Sequence, residues 1–413
     1  MRRTTLFWPT LMWGFGAASF LLQYACRVST GSFLGQVMQD FQIDPAAAGM
    51  IGSYFLIPYV LMQLFVGRIV DQNPAHQVLI ATTLVFFMAN QFFSESTSLL
   101  EVAISRALMG AMGAFAFVVT MKLALVWFNN RFLGVLAGLT QVSGMLGVVA
   151  GYTLVDYLMV AGQWRHVVKI FSSLLGVLVL LMIVLMRDKP YQGDKSQGVA
   201  MLQGLLRVWR NPQSWYNGLF AGLIYLPTAA FGEHWGQLYL VNTNTGFGPH
   251  EASVAMSTIF IGWALGGVLT GWLSDYIQKR KPLMILGPIG CLLTLMPVLY
   301  WHSMPVALVY GSLFAYGVFN SALVVSYAIS GEINPDNVSG VSIAFCNMCS
   351  ILLGAVALPF VGYVMGQYAQ EGASGAMIYS TQAYEAAVFC FPVALIFALW
   401  AAYVIQETHC QKV

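Results

Sequence analysis

The sequence predicts an all-α membrane protein whose twelve transmembrane helices form two pseudo-symmetric six-helix bundles, and three observations predict it. Of the 413 residues 58% are hydrophobic and only 8% charged, against about 25% charged in soluble domains. The apolar residues gather in long runs, and a bilayer core about 30 Å thick takes roughly 20 of them per spanning helix. Two short patterns then recur at a nearly constant interval, which sorts the runs into two equal sets. A chain in hydrocarbon must satisfy its own backbone hydrogen bonds, so each run adopts a helix.

The first six runs occupy 8–36, 47–70, 76–96, 99–126, 131–157 and 166–186. The second six occupy 212–241, 250–275, 282–301, 304–330, 338–366 and 383–405. The polar stretch between the sets gives an expected N-terminal bundle at 1–190, a cytoplasmic linker at 191–212 and a C-terminal bundle at 213–413. Met1-Arg2-Arg3 ahead of an apolar run has the look of a secretory leader, but the run is too long for a cleaved segment, and a retained first helix is expected. Gln23 and Tyr24 stand where a lipoprotein signal ending at Cys26 needs small or apolar residues.

Basic residues accumulate in cytoplasmic loops. Arg2, Arg3, Arg68, Arg131, Arg187, Lys189, Lys195, Arg207, Arg210, Lys279, Arg280, Lys281 and Lys412, thirteen of the 18 basic residues, fall on the even-numbered connections and the termini. Both termini are therefore expected in the cytoplasm of a cell whose inner membrane holds the chain. The net charge of +2 comes with no basic, aromatic-laced tract, which excludes a nucleic-acid partner. The six cysteines lie in or beside apolar runs, and Cys346-x-x-Cys349 lacks further ligands, so neither metal nor cofactor is expected. The expected partners are the bilayer, a small-molecule substrate and a proton, with the chain a monomer.

The recurrences are specific. Gly67-Arg-Ile-Val-Asp71 ends the second helix and Gly271-Trp-Leu-Ser-Asp275 the eighth, 204 residues later. Asn130-Arg-Phe-Leu-Gly134 precedes the fifth helix and Asp336-Asn-Val-Ser-Gly340 the eleventh, 206 residues later. With Arg106-Ala-Leu-Met-Gly110, Trp127-Phe128-Asn-Asn-Arg131 and Gly162-Gln-Trp164-Arg165, these patterns resemble the major facilitator superfamily over essentially the whole chain. The resemblance implies a secondary active transporter working by alternating access. It also implies a gating role for Gly67, Asp71, Arg131, Gly271, Asp275 and Arg280. A glycine there is expected to let two helices approach, and the aspartate to meet a helix N-terminus or an arginine, with Asp71 and Arg131 as the candidate lock. The other reading is that both aspartates merely end helices at the headgroups. The first copy departs from the family, since Gln72-Asn73-Pro74-Ala75-His76 replaces the basic cluster that Lys279-Arg280-Lys281 keeps. Gly138, Gly144, Gly147 and Gly151 on the fifth helix suit close packing, without the Gly-Pro pair of drug antiporters.

A charge inside a spanning helix costs about 2.5 to 3.5 kcal/mol even on an insertion scale, so it needs a partner or a wet cavity. Arg27 and Glu233 lie at nearly equivalent depth on the first and seventh helices, which line the central cavity of the resembled family. Its organophosphate antiporters carry an arginine on each of these helices; this chain keeps the first and has a carboxylate for the second. An Arg/Glu pair suits a ligand of both signs, with Arg27 on a carboxylate and Glu233 on an ammonium. The alternative is a permanent ion pair. Gln23 and Tyr24 share the helical face of Arg27. Tyr54, Gln141, Tyr225, Trp263, Asn320 and Asn347 are further candidate contacts, each equally readable as a satisfied interhelical hydrogen bond. Arg106 is assigned to a packing or coupling network, Glu233 to proton coupling, and His234 to a polar neighbour.

Phe231-Gly-Glu233-His-Trp235-Gly236, the run from Gly340 to Met348, and Glu407-Thr408 resemble the phagosomal nutrient transporters of intracellular bacteria, several of which import amino acids. The expected function is thus proton-coupled uptake of an amino acid or similar zwitterion. A carboxylate siderophore or other organic anion is the alternative. A membrane-embedded enzyme is the remote one, with no zinc-protease, nucleophile-elbow or P-loop pattern to support it.

Overall fold

The structure is a computed structural model that describes residues 7–128, 132–159, 163–187, 201–244, 246–335, 338–371 and 377–411. The elements run α1 (Phe7–Ser32), α2 (Leu34–Phe41), α3 (Pro45–Gln72), α4 (Ala75–Glu95), α5 (Leu99–Gly113), α6 (Ala116–Trp127), α7 (Leu133–Met159) and α8 (Trp164–Leu185). Then follow α9 (Met201–Arg210), α10 (Pro212–Pro227), a π-helical segment (Thr228–Trp235), α11 (Gly236–Thr243), α12 (Pro249–Ile277), α13 (Lys281–Tyr300), α14 (Val306–Asn320), α15 (Leu323–Glu332) and α16 (Ser339–Gln367). A short antiparallel hairpin, β1 (Ala369–Glu371) with β2 (Met377–Tyr379), precedes α17 (Thr381–Val388) and α18 (Cys390–Val404).

Ten helical runs among the described residues are long and apolar enough to cross a bilayer. The two expected spans outside that set are α1 and the α10–π–α11 run, the two that carry Arg27 and Glu233. The fourth and tenth spans are each broken in the same place, α5 from α6 at Ala114 and α14 from α15 at Ser321, 207 residues apart. This repeats the duplication at the level of backbone.

Two compact units are formed, one by Met1–Gln36 with Tyr54–Asp194, the other by Val37–Ser53 with Lys195–Val413. In the first, the expected glycine packing of α7 is present. A Cβ on Gly144 would strike the Phe20 ring, one on Gly147 the Leu21 backbone, and one on Gly151 would lie 2.8 Å from the Ala25 carbonyl oxygen. Gly110 of α5 rests on the Phe55 backbone in the same way. Met12, Phe15, Val66, Val70, Leu79, Phe115 and Val119 belong to a separate buried apolar cluster of this unit. At Gly138 a Cβ would meet nothing within 4 Å among the described residues.

The second unit uses reciprocal glycines, Gly262 of α12 against the Phe314 backbone of α14 and Gly317 of α14 against the Ile259 backbone of α12. A buried polar lattice ties α10, α15 and α16. Asn217 Nδ2 donates 2.8 Å bonds to the Ser326 carbonyl and to Ser330 Oγ, and Asn334 Nδ2 donates to Ser342 Oγ at 2.7 Å. Among the described residues, a Cβ on Gly67 or Gly271 would meet nothing within 4 Å.

Candidate functional site

In the first unit, a narrow pocket with room for about one water is lined by Phe20, Gln23, Tyr24, Arg27, Phe55, Tyr59 and Gly113. Gln23, Tyr24 and Arg27 reach it together because positions three and four apart share a helical face. The Arg27 guanidinium, buried at 6% exposure, stands 5.3 Å from the Tyr24 ring centroid and 5.9 Å from that of Phe55. Arg106 lies 4.9 Å from the same Phe55 ring and 5.7 Å from Phe93, and its Nη2 donates to the Arg27 carbonyl at 3.4 Å. Ring faces help offset the desolvation of both cations. Gln23 Nε2 donates to Ser19 Oγ at 2.9 Å, while its buried Oε1 has no hydrogen-bond partner among the described residues. That leaves an acceptor in the same pocket as a guanidinium.

In the second unit, Glu233 sits on the π segment. Pro227 removes a backbone donor at the entry to this segment, and the Thr228 N–H turns to the Tyr225 carbonyl. The Ile224 carbonyl thereby loses its helical donor and accepts instead from Asn320 Nδ2 at 2.7 Å. Thr228 Oγ1 donates to Asn320 Oδ1 at 2.9 Å and pairs with the Tyr316 hydroxyl at 2.8 Å. Asn320, fully buried, thus repairs the backbone and does not line an open surface. The Tyr225 hydroxyl donates to Glu233 Oε1 at 2.6 Å. His234 contacts the Ala48 carbonyl at 3.1 Å, and Trp235 Nε1 donates to the Leu358 carbonyl at 3.1 Å. π elements within helices are frequent at functional sites, and composition alone did not reveal this one; Pro227 and Gly232 were the available signal.

The remaining candidates are dispersed. Tyr54 and Gln141 are half-buried, and it is Phe55, turned about 100° from Tyr54 on the helix, that faces the arginines. Asn347 Oδ1 accepts from the Tyr327 hydroxyl at 3.0 Å. Trp263 is buried with its indole N–H lacking a hydrogen-bond partner among the described residues. The pocket residues absent from the sequence-based candidates are Phe20, Phe55 and Tyr59, of which the two phenylalanines carry no polar group.

The two repeat motifs differ. Arg131 lies outside the described residues. Lys122 instead serves the end of α3, donating to the Val70 carbonyl and, at 3.0 Å, to that of Asn73, close enough to Asp71 to attract it. The second copy is a full network: Arg280 Nη1 donates to Asp275 at 2.7 Å and to Ser274 Oγ at 2.8 Å, and Nη2 donates to Glu332 at 2.7 Å. Burial opposes the Arg280 charge, but its bonds to Glu332 and Asp275 outweigh it and hold the proton more tightly than usual. Glu407 caps α13, accepting from the backbone N–H groups of Arg280 at 2.8 Å and Lys281 at 2.9 Å. Burial works to raise the Glu407 carboxyl, yet these N–H bonds prevail and hold it below the usual carboxylate range.

Comparison with known proteins fits this architecture. The Major Facilitator Superfamily profile matches residues 16–241 and 234–411. A probable hexose phosphate transport protein of Chlamydia muridarum is 22% identical over 85% of this chain and 83% of its own. A probable galactarate/D-glucarate transporter of Escherichia coli, GudP, is 22% identical over 92% and 90%. In fold, a bacterial homolog of the human lysosomal transporter Spinster, inward-facing and occupied, superposes with a TM-score of 0.80 at 12% identity, over 96% of this chain and 97% of its own. The nucleoside transporter NupG gives 0.77 at 14% identity, over 95% and 99%. These four relatives are named as transport proteins, not enzymes. The chain therefore belongs to the major facilitator superfamily and is a multi-pass membrane transporter of small molecules.

Proposed function

We propose that the protein is a proton-coupled importer of a small zwitterion, in the simplest case an amino acid, with Arg27 taking the carboxylate. The observation that carries this reading is the presence, in one pocket, of the Arg27 guanidinium and of Gln23 Oε1, which has no hydrogen-bond partner among the described residues. An anionic group satisfies the first and an ammonium or hydroxyl donor the second. Glu233 is a second partner for an ammonium, but with Gln23 available it is left to exchange the proton. Asp71 with Lys122, and the Asp275–Arg280–Glu332 network, set the balance between inward- and outward-open states of bundles 1–190 and 213–413. Gly67, Gly271 and Arg131 belong to the same gating motifs. The chain sits in a cell inner membrane with both termini cytoplasmic.

A second reading is supported by Arg106, which shares the Phe55 ring with Arg27 and adds positive potential, and by the relatives named for hexose phosphates and galactarate or glucarate. It is transport of an organic anion without an ammonium. Thermal unfolding of the purified protein against amino acids, sugar phosphates, aldarates and nucleosides separates the two, since a ligand of the folded state raises apparent stability. Stabilisation by amino acids alone supports the first reading. Stabilisation by sugar phosphates or aldarates alone replaces it with the second.

A further inference from the structure

We propose that α9 is a membrane-surface helix that docks on anionic phospholipid. Within 204–210 three pairs of residues form stripes, because residues three and four apart share a face. Gly204 and Val208 face the protein: Val208 is fully buried against Val338 and Phe345 of the α16 entry, and a Cβ on Gly204 would lie 3.4 Å from Val341. Leu206 and Trp209 form a second stripe, 41% and 53% exposed. Arg207 and Arg210 form a third, also exposed, and they are the only charges of the helix.

The apolar stripe runs on into α10, the start of the expected seventh span. Trp215 of α10 donates from Nε1 to the Trp209 carbonyl at 2.8 Å, the two rings lie 5.9 Å apart, and Leu219, one turn further along α10, is exposed as well. The joint between the helices is the single residue Asn211, whose Oδ1 accepts from Gln213 N at 3.0 Å and whose Nδ2 donates to the Ile333 carbonyl at 2.8 Å. A helix held so close to a span lies at the bilayer boundary, where Leu206 and Trp209 enter the acyl edge and the arginines reach lipid phosphates. Two positive side chains with no acidic neighbour on the helix match an anionic surface, to which each basic residue is attracted. Because Val208 also packs on Val338, the lipid fastens the start of α16 through α9.

The test places a nitroxide at Leu206→Cys in full-length chain with Cys349, Cys390 and Cys410 replaced by Ser, reconstituted in phosphatidylcholine with or without phosphatidylglycerol. With phosphatidylglycerol, collisions with oxygen should exceed those with a water-soluble nickel chelate, and R207Q/R210Q should reverse the order. Dominant nickel collisions in both lipids mean a solvated helix and overturn the proposal. So does spin–spin broadening from a second copy, or a depth unaffected by lipid charge and by R207Q/R210Q. Should the serine background fail to fold, quenching by brominated phosphatidylglycerol in otherwise native chain gives the same reading. Trp209→Phe should then lose part of that quenching, and an unchanged quench refutes the docking.

Discussion

Tyr225 donates its hydroxyl proton to Glu233 at 2.6 Å, although the two residues are eight positions apart. A straight α-helix would separate them by about 12 Å of rise. Glu233 lies within the π segment that opens at Thr228, and Asn320 bonds the Ile224 carbonyl just ahead of that segment. Backbone irregularity and the acid thus occupy the same stretch of the helix.

Glu233→Gln is expected to abolish accumulation under an imposed pH gradient in proteoliposomes. Retained binding and exchange assign Glu233 to proton movement; lost binding assigns it to the ammonium. Normal accumulation removes both roles.

For Arg27→Ala, affinity for a carboxylate-bearing substrate should fall more than tenfold, because a charge-assisted contact contributes about 1.5 to 3 kcal/mol. An uncharged analogue should bind as before. Equal affinity of a folded mutant for the carboxylate, by calorimetry, rejects the contact.

Asn320→Ala leaves the Ile224 carbonyl buried without its donor, which costs about 1 to 3 kcal/mol. A lowered unfolding temperature with substrate affinity changed only a few-fold is the expected pattern. Unchanged stability would show that the π segment satisfies that carbonyl by itself.

Asp71→Asn should slow net uptake while leaving affinity within a few-fold, as when only the balance of open states moves. Glu332→Gln weakens the Arg280 network and should act likewise. Loss of binding with unchanged conformational accessibility, read by cysteine labelling, counts against a gating role.

Glu407 carries a pH signature. Its folded-state carboxyl is depressed by the N–H groups it caps, so its contribution is present above the unfolded value of about 4.3 and lost as pH falls through the lower folded one. Thermal unfolding should lose stability below about pH 4 in the wild type, and Glu407→Gln should lack that part of the loss.

Periodicity and composition, by themselves, determined the membrane class, the spans and the duplication, because hydrocarbon permits few backbone solutions and repeats are visible as residue spacing. Arg27 and Gln23 were legible as pocket residues because a charge in an apolar run demands an environment and positions three and four apart share a face. Only tertiary structure could show that Phe55 rather than Tyr54 faces both arginines, that Asn320 mends backbone, and that Lys122 stands at the end of α3. Those facts depend on which side chains different helices bring together, and in a chain apolar on most faces the pattern of any single helix does not specify its neighbours.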